Sequence, residues 1–427
     1  MEEVFLPQTY ARGVPYELFA RLRRESPVCW VEEPAVGPWK AGPGYWAVFR
    51  HRDVKHVLRT PEDYSSHLGA TQIRDPDTAQ DLEFVRQMML NRDPPEHSRL
   101  RRIVAGAFTP RAVRRLEEQI RARAAELFSA GECDFVEVVA ELPVWTLAHV
   151  MGVPPQDRGL LHDWASRVIG YQDEEYAGLE TARGLSDIGR RAHAMRPRLE
   201  PGTNPRSRAA LRDMYGYAHD LARHPLDDES VMAAMIRGGL TEEEFENMFF
   251  LFAVAGNETL RNAIPGGLLT LLDHGITLTP ERIPQAVEEM LRFWPPVMDF
   301  RRTATRDLTL GGQAIASGDK VVVYHASANR DPDVFPDPDR FDPARQPNDH
   351  VSFGFGPHFC LGAHLARTQM RAVFTELLAW TVEPAGDPVR LTSNFQNGLK
   401  HLPVRLAANG SSAAPPADPS AAPRPTR

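Results

Sequence analysis

The segment FGFGPHFCLG, Phe353 to Gly362, places one cysteine between glycines, directly ahead of a helical pattern that runs from Leu361 to Leu378. A cysteine at a helix N-terminus meets free N–H groups and the positive end of the helix dipole, and both favour the thiolate. Gly356 lets the loop turn tightly, and Gly362 lets the backbone come close to whatever the sulfur holds. Phe353 is expected to pack beside the sulfur and limit water. Four fixed positions (Phe353, Gly356, Cys360 and Gly362) recur by chance about 0.003 times in a chain of 427 residues, at roughly one in twenty per position. The match is therefore specific. Cys29 and Cys133 have no comparable surroundings and are assigned structural roles. An odd, sparse cysteine count without a CxxC pair argues against a disulfide framework or a structural zinc site.

Three further constellations carry chemistry. His97 and Arg101, in DPPEHSRLRRIV, lie four residues apart and share one side of a helix, where cationic and hydrogen-bonding groups suit a carboxylate-bearing ligand. Glu289 and Arg292 meet at three-residue spacing, a pair that on its own reads as a solvated surface contact. The run Ala255-Gly256-Asn257-Glu258-Thr259 sets a glycine, an acid and a threonine inside an otherwise apolar helix. Glycine there costs about 1 kcal/mol relative to alanine, and a buried glutamate needs a partner or a purpose.

Together these segments resemble the cytochrome P450 family, from about Tyr16 to Leu406. The resemblance implies a mainly α fold with small β-sheets, a haem b cofactor, and Cys360 as the axial iron ligand. A thiolate ligand pushes electron density toward the distal oxygen and favours O–O cleavage. His97, Arg101, Arg302 and His358 would hold the haem propionates, with Arg301 competing for the place of Arg302. Glu289 and Arg292 match the family's ExxR and would lock to a residue of the Pro/Asp-rich coil, here Arg340. Gly256 would widen the long helix to admit O₂, Thr259 would hydrogen-bond the activated oxygen, and Glu258 would relay protons from solvent. Val254, Ala255, Val297, Met298 and Phe395 would line the substrate pocket.

The elements that must position these residues are legible in outline. A helix is expected over Tyr16 to Glu25 and a strand over Tyr45 to Phe49. Ser65 to Leu90 reads as a long loop with short helices. Pro94 to Ser129 is helical, broken at Thr109-Pro110. Residues 140 to 237 carry helical spacing, interrupted by Met195 to Arg208, which reads as a mobile lid. One long helix is expected from Thr241 to His274, with Thr241 and Glu244 forming its N-terminal capping box. Strands follow at Leu308 to Leu310, Lys320 to Tyr324, Val389 to Leu391 and Pro403 to Leu406. One catalytic domain is expected over 1–408, with a disordered Ala/Pro/Ser-rich tail over 409–427.

Composition narrows the rest. A net charge of −8 does not suggest a nucleic-acid binder. The longest apolar runs fall well short of the roughly 20 residues of a membrane-spanning helix, and the N-terminus does not read as a signal peptide, so a cytoplasmic monomer is expected. Seven arginines lie between Arg92 and Arg115, with only Asp93 and Glu96 among them, a face that would suit an acidic electron donor. Only 67 residues follow Cys360, too few for a reductase, so separate ferredoxin and ferredoxin reductase partners are expected. AGNETLRNAI and SNFQNGLKHLPVRL are similar to family members that oxidise steroids, terpenoids or branched lipids. Tailoring of a polyketide or peptide, and a peroxide-driven haem enzyme of the same fold, remain open. A non-catalytic haem protein would have little use for Glu258 and Thr259. A cysteine hydrolase lacks the base and its orienting partner.

Overall fold

In the computed structural model, which describes residues 2–200 and 203–409, helices form the main body and the sheets lie at its edges. Of the expected tail, 410–427 lie outside the described residues. Asn409 belongs to the folded body: its N–H donates to Ala379 O at 2.9 Å and its amide to Leu378 O at 2.8 Å.

A five-stranded sheet runs in the order Val28–Val31, Tyr45–Val48, Lys320–Tyr324, Asp299–Ala304, Tyr64–Ser65. Its fully buried strand Lys320–Tyr324 pairs in parallel with Tyr45–Val48 and antiparallel with Asp299–Ala304, Arg302 standing opposite Val321. A three-stranded sheet places Pro403–Ala408 between Gly131–Asp134 and Trp380–Pro384.

The helical body surrounds one large apolar core. Helix Phe135–Met151 starts where the Asp134 carboxylate accepts the Val136 N–H and stops at Gly152, whose φ of 82° is the left-handed turn that ends many helices. Helix Pro110–Ala125 is capped by Thr109, at the break expected from Thr109-Pro110. The Thr241–Glu244 capping box is present, with the Glu244 N–H 3.2 Å from Thr241 Oγ1 and the Thr241 N–H 3.1 Å from a Glu244 carboxylate oxygen.

The expected single helix from Thr241 to His274 is two helices, Glu242–Ala255 and Glu258–Asp273. Asn257 leaves ordinary helical geometry at φ −104° and ψ −64°. A Cβ at Gly256 would lie 2.7 Å from Leu147 Cδ1, so any larger residue there requires the Leu147 side chain to shift. Close packing on Phe135–Met151 thus favours a small residue where the helix breaks.

Candidate functional site

One large cavity, of about 570 Å³, opens between the helices and the five-stranded sheet. It falls in the usual range of small-molecule sites, roughly 300–1,000 Å³. The cysteine loop forms part of its wall. Gly356 sits at φ 72°, and a Cβ there would come within 2.8 Å of Leu58 O, so sterics and conformation both require glycine. The Cys360 N–H donates to Phe353 O at 2.8 Å, closing the loop. Helix Ala363–Leu377 begins directly after Gly362, so Cys360 faces a helix start. Enclosure pushes the Cys360 thiol up from its ordinary value, while the Gly362 N–H and the charges of Arg101 and Arg367 oppose that rise. Arg367 also lies over the Phe353 ring, 4.3 Å from its centroid.

His97, Arg101, Arg302 and His358 line the same cavity as Cys360, with Phe353 and Gly362. The His97 and His358 rings are 4.1 Å apart, and Ser66 Oγ lies 3.3 Å from His358 Nε2. Burial and the neighbouring guanidinium of Arg101 lower His97 to about 4. Burial, then Arg302, His97 and Arg101, hold His358 well below its ordinary value. Burial also lowers Arg302 to about 10. Arg101 and Arg302 have no carboxylate partner among the described residues, and the buried His97 Nδ1 has no hydrogen-bond partner. Arg301 differs: it pairs with Asp75 and donates toward the carbonyls of Gln72 and Ile73, outside this cluster. Two guanidiniums without carboxylate partners and two imidazoles held neutral, beside a cysteine, form a donor set suited to an anion. A flat, dicarboxylate-bearing group such as haem fits these residues.

Thr259, Gly256, Val254, Ala255, Val297 and Phe395 also line the cavity. The Thr259 hydroxyl donates to Ala255 O at 2.9 Å across the helix break. Glu258 is fully buried outside this lining; the Tyr176 hydroxyl donates to it, and Arg261 donates to that hydroxyl. Tyr176 has no signature in the sequence, because its contact with Glu258 joins segments 82 residues apart, whereas Arg261 stands three residues from Glu258 on the same helix.

Two expected positions are corrected. Met298 is fully buried away from the cavity, in a core with Phe5, Tyr10, Tyr45 and Tyr324. Val297, paired with Gln396 in a β-bridge, faces the cavity, and extended backbone turns the next side chain to the opposite side. The Glu289–Arg292 pair locks to Arg345, and the Arg340 side chain is exposed. Glu289 accepts from Arg292 Nε at 2.7 Å, Arg345 Nε at 3.0 Å, the Asp342 N–H at 3.0 Å and Asn348 at 3.1 Å. Arg340 supplies only its carbonyl, 3.0 Å from Arg345.

The arginine-rich face is also less bare than its sequence suggests. Arg99 pairs with Glu96 and Glu244, and Arg115 with Glu229. Arg102, Arg111 and Arg114 are exposed without an ion pair among the described residues.

A cytochrome P450 family model matches residues 283–404. A Rhodococcus jostii steroid C26-monooxygenase is 36% identical over 418 residues, covering 93% of this chain and 83% of the relative. A methyl-branched lipid omega-hydroxylase of Mycobacterium bovis is 37% identical over 413 residues, covering 90% of each chain. Among solved structures, a Mycobacterium marinum cytochrome P450 in complex with pseudoionone is 36% identical, with a TM-score of 0.77 over 91% of this chain and 94% of that one. With a cysteine loop, an uncompensated cationic cluster and an enclosed cavity brought together, and with relatives matched over nine-tenths of its length, the chain belongs to the cytochrome P450 family of haem-thiolate monooxygenases.

Proposed function

We propose that this monooxygenase hydroxylates a C–H bond of a large apolar molecule of the steroid, terpenoid or branched-lipid kind, with electrons delivered by a ferredoxin. The observation that carries the reading is the single cavity in which Cys360 and the cationic cluster share walls with Ile169, Phe252, Val254, Val297 and Phe395. The names of the relatives, a steroid C26-monooxygenase and a methyl-branched lipid omega-hydroxylase, support the substrate class, as does the pseudoionone held by the Mycobacterium marinum protein.

In this proposal Cys360 ligates the iron, and Arg101, Arg302, His97 and His358 hold the propionates. When bound, haem supplies the activation of O₂ by which one oxygen atom enters the substrate and the other leaves as water. The chain's own residues orient and protonate. Thr259 commits its proton to Ala255 O, which leaves the hydroxyl oxygen as an acceptor at the cavity wall. Glu258, beside Thr259 in the chain, is the buried acid that carries protons: its Oε2 accepts from Tyr176, and its Oε1 has no hydrogen-bond partner among the described residues. Arg102, Arg111 and Arg114 offer an acidic ferredoxin an unneutralised patch.

Reduced protein exposed to CO tests the ligand: a strongly red-shifted Soret band is expected, and a histidine-type spectrum excludes Cys360. Binding to a steroid, terpenoid and branched-lipid panel, read from the spin-state shift of the haem, tests the substrate class. Silence across that panel favours polyketide or peptide tailoring instead.

A further inference from the structure

The cavity has a second polar cluster, made of Trp39, Lys40, Arg74, Tyr171 and Arg206. Lys40 and the adjoining Ala41 and Asp77 are exposed, so this end of the cavity reaches the surface. The Trp39 ring meets Tyr171 edge-on at 5.4 Å, and the Arg206 guanidinium lies 5.4 Å from the centroid of the Tyr171 ring. That stack presents the guanidinium on a stiff platform.

Arg206 is uncompensated. Its guanidinium has neither a hydrogen-bond acceptor nor a carboxylate partner among the described residues; its one polar contact is made by the backbone N–H, to Asn204 Oδ1 at 3.0 Å. Arg74 donates to the carbonyls of Lys40 and Pro34 but also lacks a carboxylate. The nearby acids are already committed, Asp75 to Arg301 and Lys320, and Glu33 to Lys320 at 2.8 Å. Asp77 is exposed. Enclosure lowers Arg206 from its ordinary value, and only the Tyr171 hydroxyl opposes this. A half-buried planar fork with no acceptor among the described residues matches a carboxylate in geometry and charge.

We propose that Arg206, with Arg74 and the Tyr171 hydroxyl beside it, receives the carboxylate of an otherwise apolar substrate, so that the substrate class is a long-chain carboxylic acid. The inference rests on the apolar-substrate reading above and narrows it. The same cavity is lined for the most part by apolar side chains, Val85, Ile169, Phe252, Val254 and Phe395 among them, so an acid anchored at Arg206 keeps its hydrocarbon in the cavity that Thr259 and Cys360 also line.

Titration of the haem-loaded protein with dodecanoic and hexadecanoic acids and their methyl esters tests the proposal. Binding is read from the Soret band or, where the band is silent, from competition with an azole ligand. In the wild type the acid should bind at least about tenfold more tightly than its ester. Arg206→Gln should lose that preference while ester affinity stays within about twofold, and Arg206→Lys should retain part of it. An unchanged CO spectrum and azole affinity show that the variants are folded. Equal affinity for acid and ester in the wild type overturns the subsite, as does an Arg206→Gln variant that weakens both alike. Ester binding without acid preference leaves the apolar-substrate reading standing. If neither compound binds at either chain length, that reading falls and the subsite with it.

Discussion

Arg345 Nε lies 3.0 and 3.1 Å from the two carboxylate oxygens of Glu289, and both Glu289 and Arg292 are completely buried. Arg292 in turn donates to Asn329 O at 2.8 Å and Pro338 O at 2.9 Å. The coil that precedes the cysteine loop is thereby pinned to the helix Ile283–Phe293 by charges that water cannot reach.

Removing one member of that set leaves a buried charge short of a partner. Arg345→Met should destabilise the fold by about 2–4 kcal/mol and weaken haem retention. Arg340→Ala should stay within about 0.5 kcal/mol, because it removes only an exposed side chain. Chemical denaturation of both variants compares the two positions directly. Equal losses would return the role to Arg340.

Thr259→Ala should keep the CO spectrum and lower product formed per NADPH several-fold, with hydrogen peroxide making up the difference. The Ala255 carbonyl that Thr259 now satisfies stands at a helix break, so a modest loss of stability accompanies the change. Unaltered coupling would remove Thr259 from the chemistry.

Glu258→Gln should slow turnover at least tenfold and raise the solvent isotope effect, whereas Tyr176→Phe should mainly cost stability, about 1–3 kcal/mol, through the unpaired carboxylate. Steady-state rates in H₂O and D₂O separate the two. A Glu258→Gln enzyme running at the wild-type rate would reduce the Tyr176–Glu258–Arg261 cluster to a packing device.

Acid should loosen the haem-free protein. His97 titrates near 4 in the folded chain, because burial and Arg101 disfavour its charge, and near the ordinary value of about 6.5 once unfolded. The unfolded chain therefore binds the extra proton first, and this contribution to stability is complete above about pH 6.5 and fades as pH falls toward 4. Denaturation midpoints across that window should decline less steeply for His97→Gln. Identical slopes would assign the acid sensitivity to other groups.

Much of the site could be read from the sequence wherever neighbours along the chain create the geometry. Cys360 with its glycines, His97 with Arg101, and Glu289 with Arg292 all depend on helix spacing or a tight loop. The Thr241–Glu244 capping box is of the same kind. Contacts between distant segments left no such trace. A Pro/Asp-rich coil has no period to indicate which arginine turns inward, so the sequence does not separate Arg345 from Arg340. Val297 and Met298 part company because an extended segment alternates its side chains, sending one to the cavity and the next to the core. Arg206 and Tyr171 meet across 34 intervening residues, and their pairing belongs to the tertiary fold alone.

The break at Gly256 and Asn257 also divides labour along the chain. Helix Glu242–Ala255 gives the cavity Phe250, Phe252 and Val254, whereas Glu258–Asp273 gives it Thr259, Leu260 and Ala263. A helix continuous through this point would transmit a change of side-chain bulk on one half as a rotation of the other. The Thr259 to Ala255 hydrogen bond still ties the halves across the break, yet substitutions at Phe250, Phe252 and Val254 reshape one part of the cavity wall and leave in place the part that Thr259, Leu260 and Ala263 supply. A catalyst divided in this way can diversify its substrates through the former segment, and directed evolution of new specificities is best begun there.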